Sequence, residues 1–183
     1  MSRPLPPVAV VVLGLMASGK TTVGRLLAAE LGRPFVDGDA ELQARTGRTA
    51  RQLQAGEGRA RLHELERAVL AEHRDRPVVL AAAASVADTD EGLELLAGCT
   101  VVVLDVAVET LRRRVRSAHR PLPEDDEALE ELLRSQRTER LGRYRRVATV
   151  VVEPGHRTAE DVAGEIATRL GGPVAGGPPG DHH

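Results

Sequence analysis

The sequence predicts an α/β domain built on a parallel sheet with helices on both faces, and three observations carry that prediction. Its apolar runs are short, rich in valine and without polar alternation, as strands buried on both sides are. Helical patterns separate these runs one by one, the alternation that parallel crossovers require. A glycine-rich loop joins the first strand to the first helix, at the sheet edge where such folds bind ligands.

Taken in order, Val8 to Leu13 reads as the first strand. The apolar run continues to Met16, which is too short to cross a bilayer, and it leads into a glycine loop rather than a cleavage site. Thr21 to Leu31 places Val23, Leu26, Leu27 and Leu31 on one helical face, with Gly32 and Pro34 closing the segment. Phe35 to Asp37 reads as a second strand, followed by helical patterns over Ala40 to Arg45 and Gly58 to His73. Pro77 to Leu80 and Thr100 to Leu104 are the third and fourth strands, each with a helix after it. Val147 to Val152 is the fifth, and Thr158 to Leu170 a closing amphipathic helix. Gly171 to Gly180 holds three prolines and five glycines and has nothing to bury. A single domain over 1–170 is therefore expected, with a disordered tail over 171–183.

With 183 residues, 42% of them hydrophobic and 28% charged, the chain suffices for one compact core. A net charge of −2 supplies no basic field for nucleic acid or an anionic membrane. Aromatic residues are 1%, Phe35 and Tyr144, so base-stacking platforms are missing too. Cys99 has no second cysteine to pair with, which fits a reducing, cytoplasmic setting, and a monomer is expected. Cys99 itself reads as a small apolar residue, and His73, His119 and His156 as solvent-facing. Lys20 is the one lysine among 25 basic residues, and asparagine is absent. Where charge alone matters this chain uses arginine, so Lys20 marks a position that needs a compact ammonium.

That lysine sits in Gly14-Leu-Met-Ala-Ser-Gly19-Lys20-Thr21, which satisfies the phosphate-loop pattern GxxxxGK[ST] between a strand and a helix. Glycines let successive backbone N–H groups face inward, and the helix start adds partial positive charge. Lys20 is expected to reach the β- and γ-phosphates of ATP, and the Thr21 hydroxyl to ligate Mg²⁺. A GTPase switch needs an Asn-Lys-x-Asp segment to read its base, and this chain has none. What remains is a small kinase, which needs a carboxylate at the acceptor hydroxyl and arginines over the moving phosphoryl group.

Asp37 and Asp39 end the second strand at the ligand-binding edge, where helix capping is the competing reading. Arg120 to Asp126 suits a mobile lid carrying an arginine, or an ordinary solvated loop. The arginines at 112–116 and 134–146 also read as solvated helix faces paired with glutamates.

From about Val8 to about Ile166 the order of residues resembles the shikimate kinase family. Beyond the phosphate loop, the resemblance lies in Thr22-Val-Gly24-Arg25, Arg33-Pro-Phe-Val-Asp37-Gly-Asp39, Arg45-Thr-Gly-Arg48 and Glu64-Leu-Glu66. It continues through Leu104-Asp-Val, Glu109-Thr-Leu-Arg, Arg120-Pro-Leu and Arg140-x-x-x-Tyr144-Arg-x-Val147-Ala148. It implies a three-layer P-loop kinase fold with a five-stranded parallel sheet and a lid loop. It further implies ATP-dependent phosphorylation of a hydroxyl, with shikimate as the default acceptor and Mg²⁺ as cofactor. By position it assigns Gly14, Ala17, Ser18, Gly19, Lys20, Thr21 and Thr22 to the nucleotide, one of Arg113 and Arg114 (Arg114 preferred) to adenine, and Thr21 and Asp37 to the metal. Asp39 falls where the acceptor hydroxyl binds and a general base is proposed, Arg120 where the lid arginine reaches the phosphoryl group, and Arg140 where an arginine grips the acceptor carboxylate.

The acceptor half departs from the family. His63 stands where an arginine would pair with the acceptor carboxylate, and imidazole lacks the bidentate fork. Ala82, Ala83 and Ala84 replace a triple glycine lining the pocket, and Gly142-Arg143 replaces Pro-Leu. The alanines read equally as close packing, and His63 as a surface residue. Two further readings therefore stand beside shikimate: a kinase for another hydroxylated acceptor, and a nucleotide-binding regulatory protein that transfers nothing.

Overall fold

The computed structural model describes residues 5–117 and 125–171. Five strands, β1 (Val10–Gly14), β2 (Phe35–Asp37), β3 (Val79–Ala81), β4 (Thr100–Leu104) and β5 (Val150–Val152), form one sheet in the order β2-β3-β1-β4-β5. Every pairing in it is parallel. Helices α1 (Lys20–Leu31), α2 (Gly38–Thr46), α3 (Ala50–His73), α4 (Asp90–Ala97), α5 (Val108–Ser117), α6 (Asp126–Val147) and α7 (Ala159–Arg169) connect the strands, with a 3-10 turn at Ala84–Asp88.

Alternation along β1 divides the core into two layers. Val10 and Val12 face α1 and α7, meeting Leu27, Val162 and Ile166, whereas Val11 and Leu13 face α3, α4 and α6, meeting Leu70, Leu96 and Tyr144. All four strand residues are fully buried, which is why the run needs no polar alternation. Leu42 of α2 and Leu53 and Leu62 of α3 form a satellite core, and Leu111, Val115, Leu129 and Leu133 join α5 to α6. With so few aromatics, Tyr144 is the largest fully buried side chain.

Several boundaries differ from expectation. Val147 ends α6 rather than opening β5, because α6 runs unbroken from its cap at Asp125. The third strand starts at Val79, and Thr158 is the cap of α7 rather than its first residue. α3 begins eight residues before Gly58, at Ala50, behind a capping box of Thr49 and Gln52. Gly58 lies inside it at φ 85°, a kink that only glycine adopts without strain. The expected lid arginine Arg120, His119 and the tail after Gly171 lie outside the described residues. Among the described residues no helix is long and apolar enough to cross a membrane.

Candidate active site

The parallel registers bring four strand ends to one edge, with β1 and β4 running two residues past β2 and β3, since Ala81 pairs with Val12. Asp37 pairs with Ala81, and Gly14 with Leu104, so the loops after β2, β3, β1 and β4 share one edge. The phosphate loop turns there under close contact. A Cβ on Gly14 would lie 2.5 Å from Ser18 Oγ and 3.0 Å from the Leu104 carbonyl oxygen, so the position has room only for hydrogen. Gly19 caps α1 at φ 96°, and Ala17 holds φ 59°, a left-handed conformation costing a non-glycine residue roughly 1–2 kcal/mol. Ser18 Oγ is buried without a hydrogen-bond partner. Lys20 Nζ donates to the carbonyls of Gly14 at 3.0 Å and Leu15 at 3.1 Å, which holds the ammonium over the curl. Arg114 donates through Nη1 to the Ala17 and Ser18 carbonyls at 3.3 and 3.2 Å, while Arg113 is exposed.

Thr21 Oγ1 donates to Asp37 Oδ2 at 2.8 Å, and Asp37 Oδ1 accepts from the Asp39 and Ala40 amides, each at 3.1 Å. Asp37 therefore caps α2 and faces Thr21 at once. Capping and site geometry are not alternatives here. Both oxygens are hard donors beside a phosphate-sized cradle, which suits Mg²⁺. Asp39, exposed on the first turn of α2, lines a cavity of about 470 Å³ with Met16 to Val23, Ala84 and Arg114. Pro154, Arg157, Thr158 and Val162 close the far wall. Sequence reading missed this wall, which comes from the loop before α7 and carries no motif.

At the acceptor end, Gly38 rather than the alanines provides the close approach. A Cβ there would lie 2.9 Å from the Ala81 carbonyl oxygen. Ala82 is buried, Ala83 and Ala84 are partly so, and none of them takes a left-handed conformation that would favour glycine. His63 is no surface residue: its side chain is 11% exposed, and burial lowers its pKa, leaving the ring neutral at pH 7. Arg140, expected to hold a carboxylate ligand, also pairs within the chain through one edge of its guanidinium. Its Nε and Nη2 donate to the two oxygens of Asp88, both at 2.8 Å.

Glu66 is 6% exposed and receives the Ser85 hydroxyl, with Oγ 2.9 and 2.7 Å from its two oxygens. Burial pushes its pKa from 4.5 to about 7; the Ser85 hydrogen bond opposes the rise, and Asp39 and Asp88 add to it. The folded state therefore holds this proton more tightly than the unfolded chain. The stability it contributes is full below pH 4.5 and is lost as pH rises through about 7, a change of roughly 3 kcal/mol at about 1.4 kcal/mol per unit. Glu66→Gln removes this dependence. In denaturant titrations at pH 5 and 8, the wild type should lose roughly 2–3 kcal/mol more than the variant. Equal losses would show that the carboxyl is already ionised at pH 5.

Other residues also depart from expectation. His73 is buried, and its Nε2 lies 2.8 Å from Glu41 Oε2. Glu72 joins them with all ligand atoms within 4.8 Å, but Arg45 bonds both carboxylates and supplies the cation there. His156 is exposed as expected, and burial raises the Cys99 thiol to about 11, in keeping with an unreactive small residue. Arg134 does pair with Glu130 on a solvated face. Arg137 and Arg145 instead reach inward to the buried Asp105, and Arg143 reaches the Ala87 carbonyl and Asp90.

Comparison with known proteins agrees with this geometry. A family model described as shikimate kinase matches residues 16–171. Curated shikimate kinases from Symbiobacterium thermophilum and Mycobacterium avium are each 37% identical, covering 88% and 87% of this chain and 95% and 92% of their own. A solved structure of shikimate kinase from Acinetobacter baumannii in complex with shikimate superposes with a TM-score of 0.80 at 34% identity, over 88% of this chain and 91% of that one. This chain is a small-molecule kinase by descent and belongs to the shikimate kinase family.

Proposed function

We propose that the protein transfers the γ-phosphoryl group of ATP to a hydroxyl of a small cyclic polyol of the shikimate type. The observation that carries this reading is the Thr21–Asp37 contact placed beside Lys20 and Asp39 on one cavity. Lys20 draws the β- and γ-phosphates into the amide curl, and Arg114 braces the loop from behind. Thr21 and, through water, Asp37 would hold Mg²⁺, which when bound shields phosphate charge. Asp39 orients the acceptor hydroxyl and takes its proton as the new oxygen–phosphorus bond forms and the bond to ADP breaks. Arg120, which precedes α6 in the sequence, is the proposed cation for the moving phosphoryl group.

The test mixes the protein with MgATP and, separately, shikimate, its carboxamide and its hydroxymethyl analogue, and follows ADP. ADP release that requires one of these acceptors is the expected result. ATP binding with no acceptor-dependent ADP in any arm would leave only a nucleotide-binding protein.

A further inference from the structure

We propose that Glu66 is a positioning residue of the acceptor end: its protonated carboxyl, bonded to Ser85, permits an anionic acceptor to bind, and its ionised form opposes that binding. The inference rests on the kinase reading above, and makes acceptor binding depend on a proton held by the chain itself.

Glu66 reaches the acceptor wall through Ser85. From α3 it meets the Ser85 hydroxyl with both carboxyl oxygens, and Ser85 follows Ala84, which lines the cavity together with Asp39. On the other side Tyr144 Oη donates to the Ala84 carbonyl at 2.7 Å, so α3 and α6 hold this turn between them. The close approach of Gly38 to the Ala81 carbonyl sets the start of α2, and Asp39 with it, against the same segment.

The charges around Glu66 leave it short of a cation. Asp39 of α2 and Asp88 of the turn after β3 act on it as like charges, and Arg140 of α6 is the cation that faces it. Asp88 already takes the Nε and Nη2 edge of Arg140. On α3 itself, His63 lies one turn earlier and burial lowers its pKa, while Arg67 donates to Thr89 at 3.3 Å. Burial raises the pKa of the Tyr144 phenol, which stays neutral too. An ionised Glu66 therefore adds a third negative charge beside Asp39 and Asp88, away from water, and competes with an incoming carboxylate for Arg140. Protonated, it keeps its hydrogen bond with Ser85 and adds no charge. Burial, aided by Asp39 and Asp88 and opposed by the Ser85 hydrogen bond, places this change at about pH 7. By linkage, a carboxylate acceptor that favours the protonated form loses affinity as pH rises through the titration.

Calorimetry with shikimate, whose carboxylate is ionised throughout, tests this between pH 6.5 and pH 8.5 on protein saturated with Mg²⁺ and a non-hydrolysable ATP analogue. Wild-type affinity should fall roughly tenfold across this range, since a ligand restricted to the protonated form loses up to about tenfold per pH unit above the titration. Glu66→Gln, which stays neutral and can still bond Ser85, should hold its affinity within about twofold. Ser85→Ala removes the bond that favours the ionised form, so its fall should be smaller than the wild type's. Binding of the ATP analogue by each variant reports folding, and Ser85→Ala decides the matter should Glu66→Gln fail to fold. A flat wild-type affinity, a fall that persists in Glu66→Gln, or a fall in Ser85→Ala as large as the wild type's overturns the proposal. So does shikimate that binds at no pH in the range. Titration of the nucleotide or of His63 would persist in Glu66→Gln and is thereby told apart from this carboxyl. ADP formation is scored separately, so this pH dependence without ADP removes phosphoryl transfer and not the proton linkage.

Discussion

Lys20→Met is expected to lower ATP affinity by about a hundredfold and turnover by roughly 10³-fold, near the upper range for removing one charged donor at a phosphoryl site. The ammonium is held by two loop carbonyls, Gly14 and Leu15, so it needs only a small shift to meet an anion entering the curl. Met matches its length and removes only charge and donors. Lys20→Arg is the sharper comparison, because it keeps the charge. A guanidinium is planar and wider, and this loop has no slack: even a Cβ on Gly14 would collide with Ser18 and the Leu104 carbonyl, and Ala17 is already in a left-handed conformation. Arg should therefore recover less than a tenth of the lost affinity. Calorimetric titration with MgATP reads both variants. Wild-type affinity in Lys20→Met would remove nucleotide binding at this loop, and full recovery in Lys20→Arg would show that charge alone matters.

The fold was readable because its determinants are local. An unalternated valine run, a glycine-framed loop and a period of 3.6 each declare themselves within a dozen residues, and five parallel strands followed from their alternation with helices. What failed was also local in cause. Two glycines, Gly56 and Gly58, obscured the first turns of α3, although Thr49 and Gln52 spell a capping box just before them. Val147 sits next to a true strand and reads as part of it, because a β-branched residue at a helix end looks like the start of a run.

The acceptor end was legible only in outline. Sequence showed that His63, the three alanines and Gly142-Arg143 depart from the family, but not that they are linked. The links are non-local: Arg140 meets Asp88 across 52 positions, Tyr144 meets Ala84 across 60, and Ser85 meets Glu66 across 19. Asp88 carried no motif, so its charge was invisible until the turn after β3 was packed against α6. The same blindness made Arg137 and Arg145 look like solvated charges, when both satisfy the buried Asp105. In a chain with 25 basic residues, charge pattern cannot say which arginine is structural.

Asp39→Asn should reduce kcat by about 10²–10⁴-fold while ATP affinity stays within about twofold. Two roles compete for this carboxylate, and their magnitudes separate them. It sits on the first turn of α2, where a negative charge stabilises the helix N-terminus by about 0.3–1 kcal/mol. If that were its whole contribution, the variant would melt slightly earlier and turn over normally. Proton acceptance from the acceptor hydroxyl predicts a barrier higher by about 3–5 kcal/mol with little change in melting. Asn keeps the shape, and the cap itself is Asp37, whose Oδ1 accepts the residue 39 amide whatever side chain that residue bears. The acceptor KM should change far less than kcat, because an amide oxygen still accepts the hydroxyl's hydrogen bond in the ground state and cannot take its proton in the transition state. A kcat within tenfold of wild type would assign Asp39 to the helix and leave proton transfer to water or to the buried carboxyl of Glu66, whose pKa burial raises to about 7.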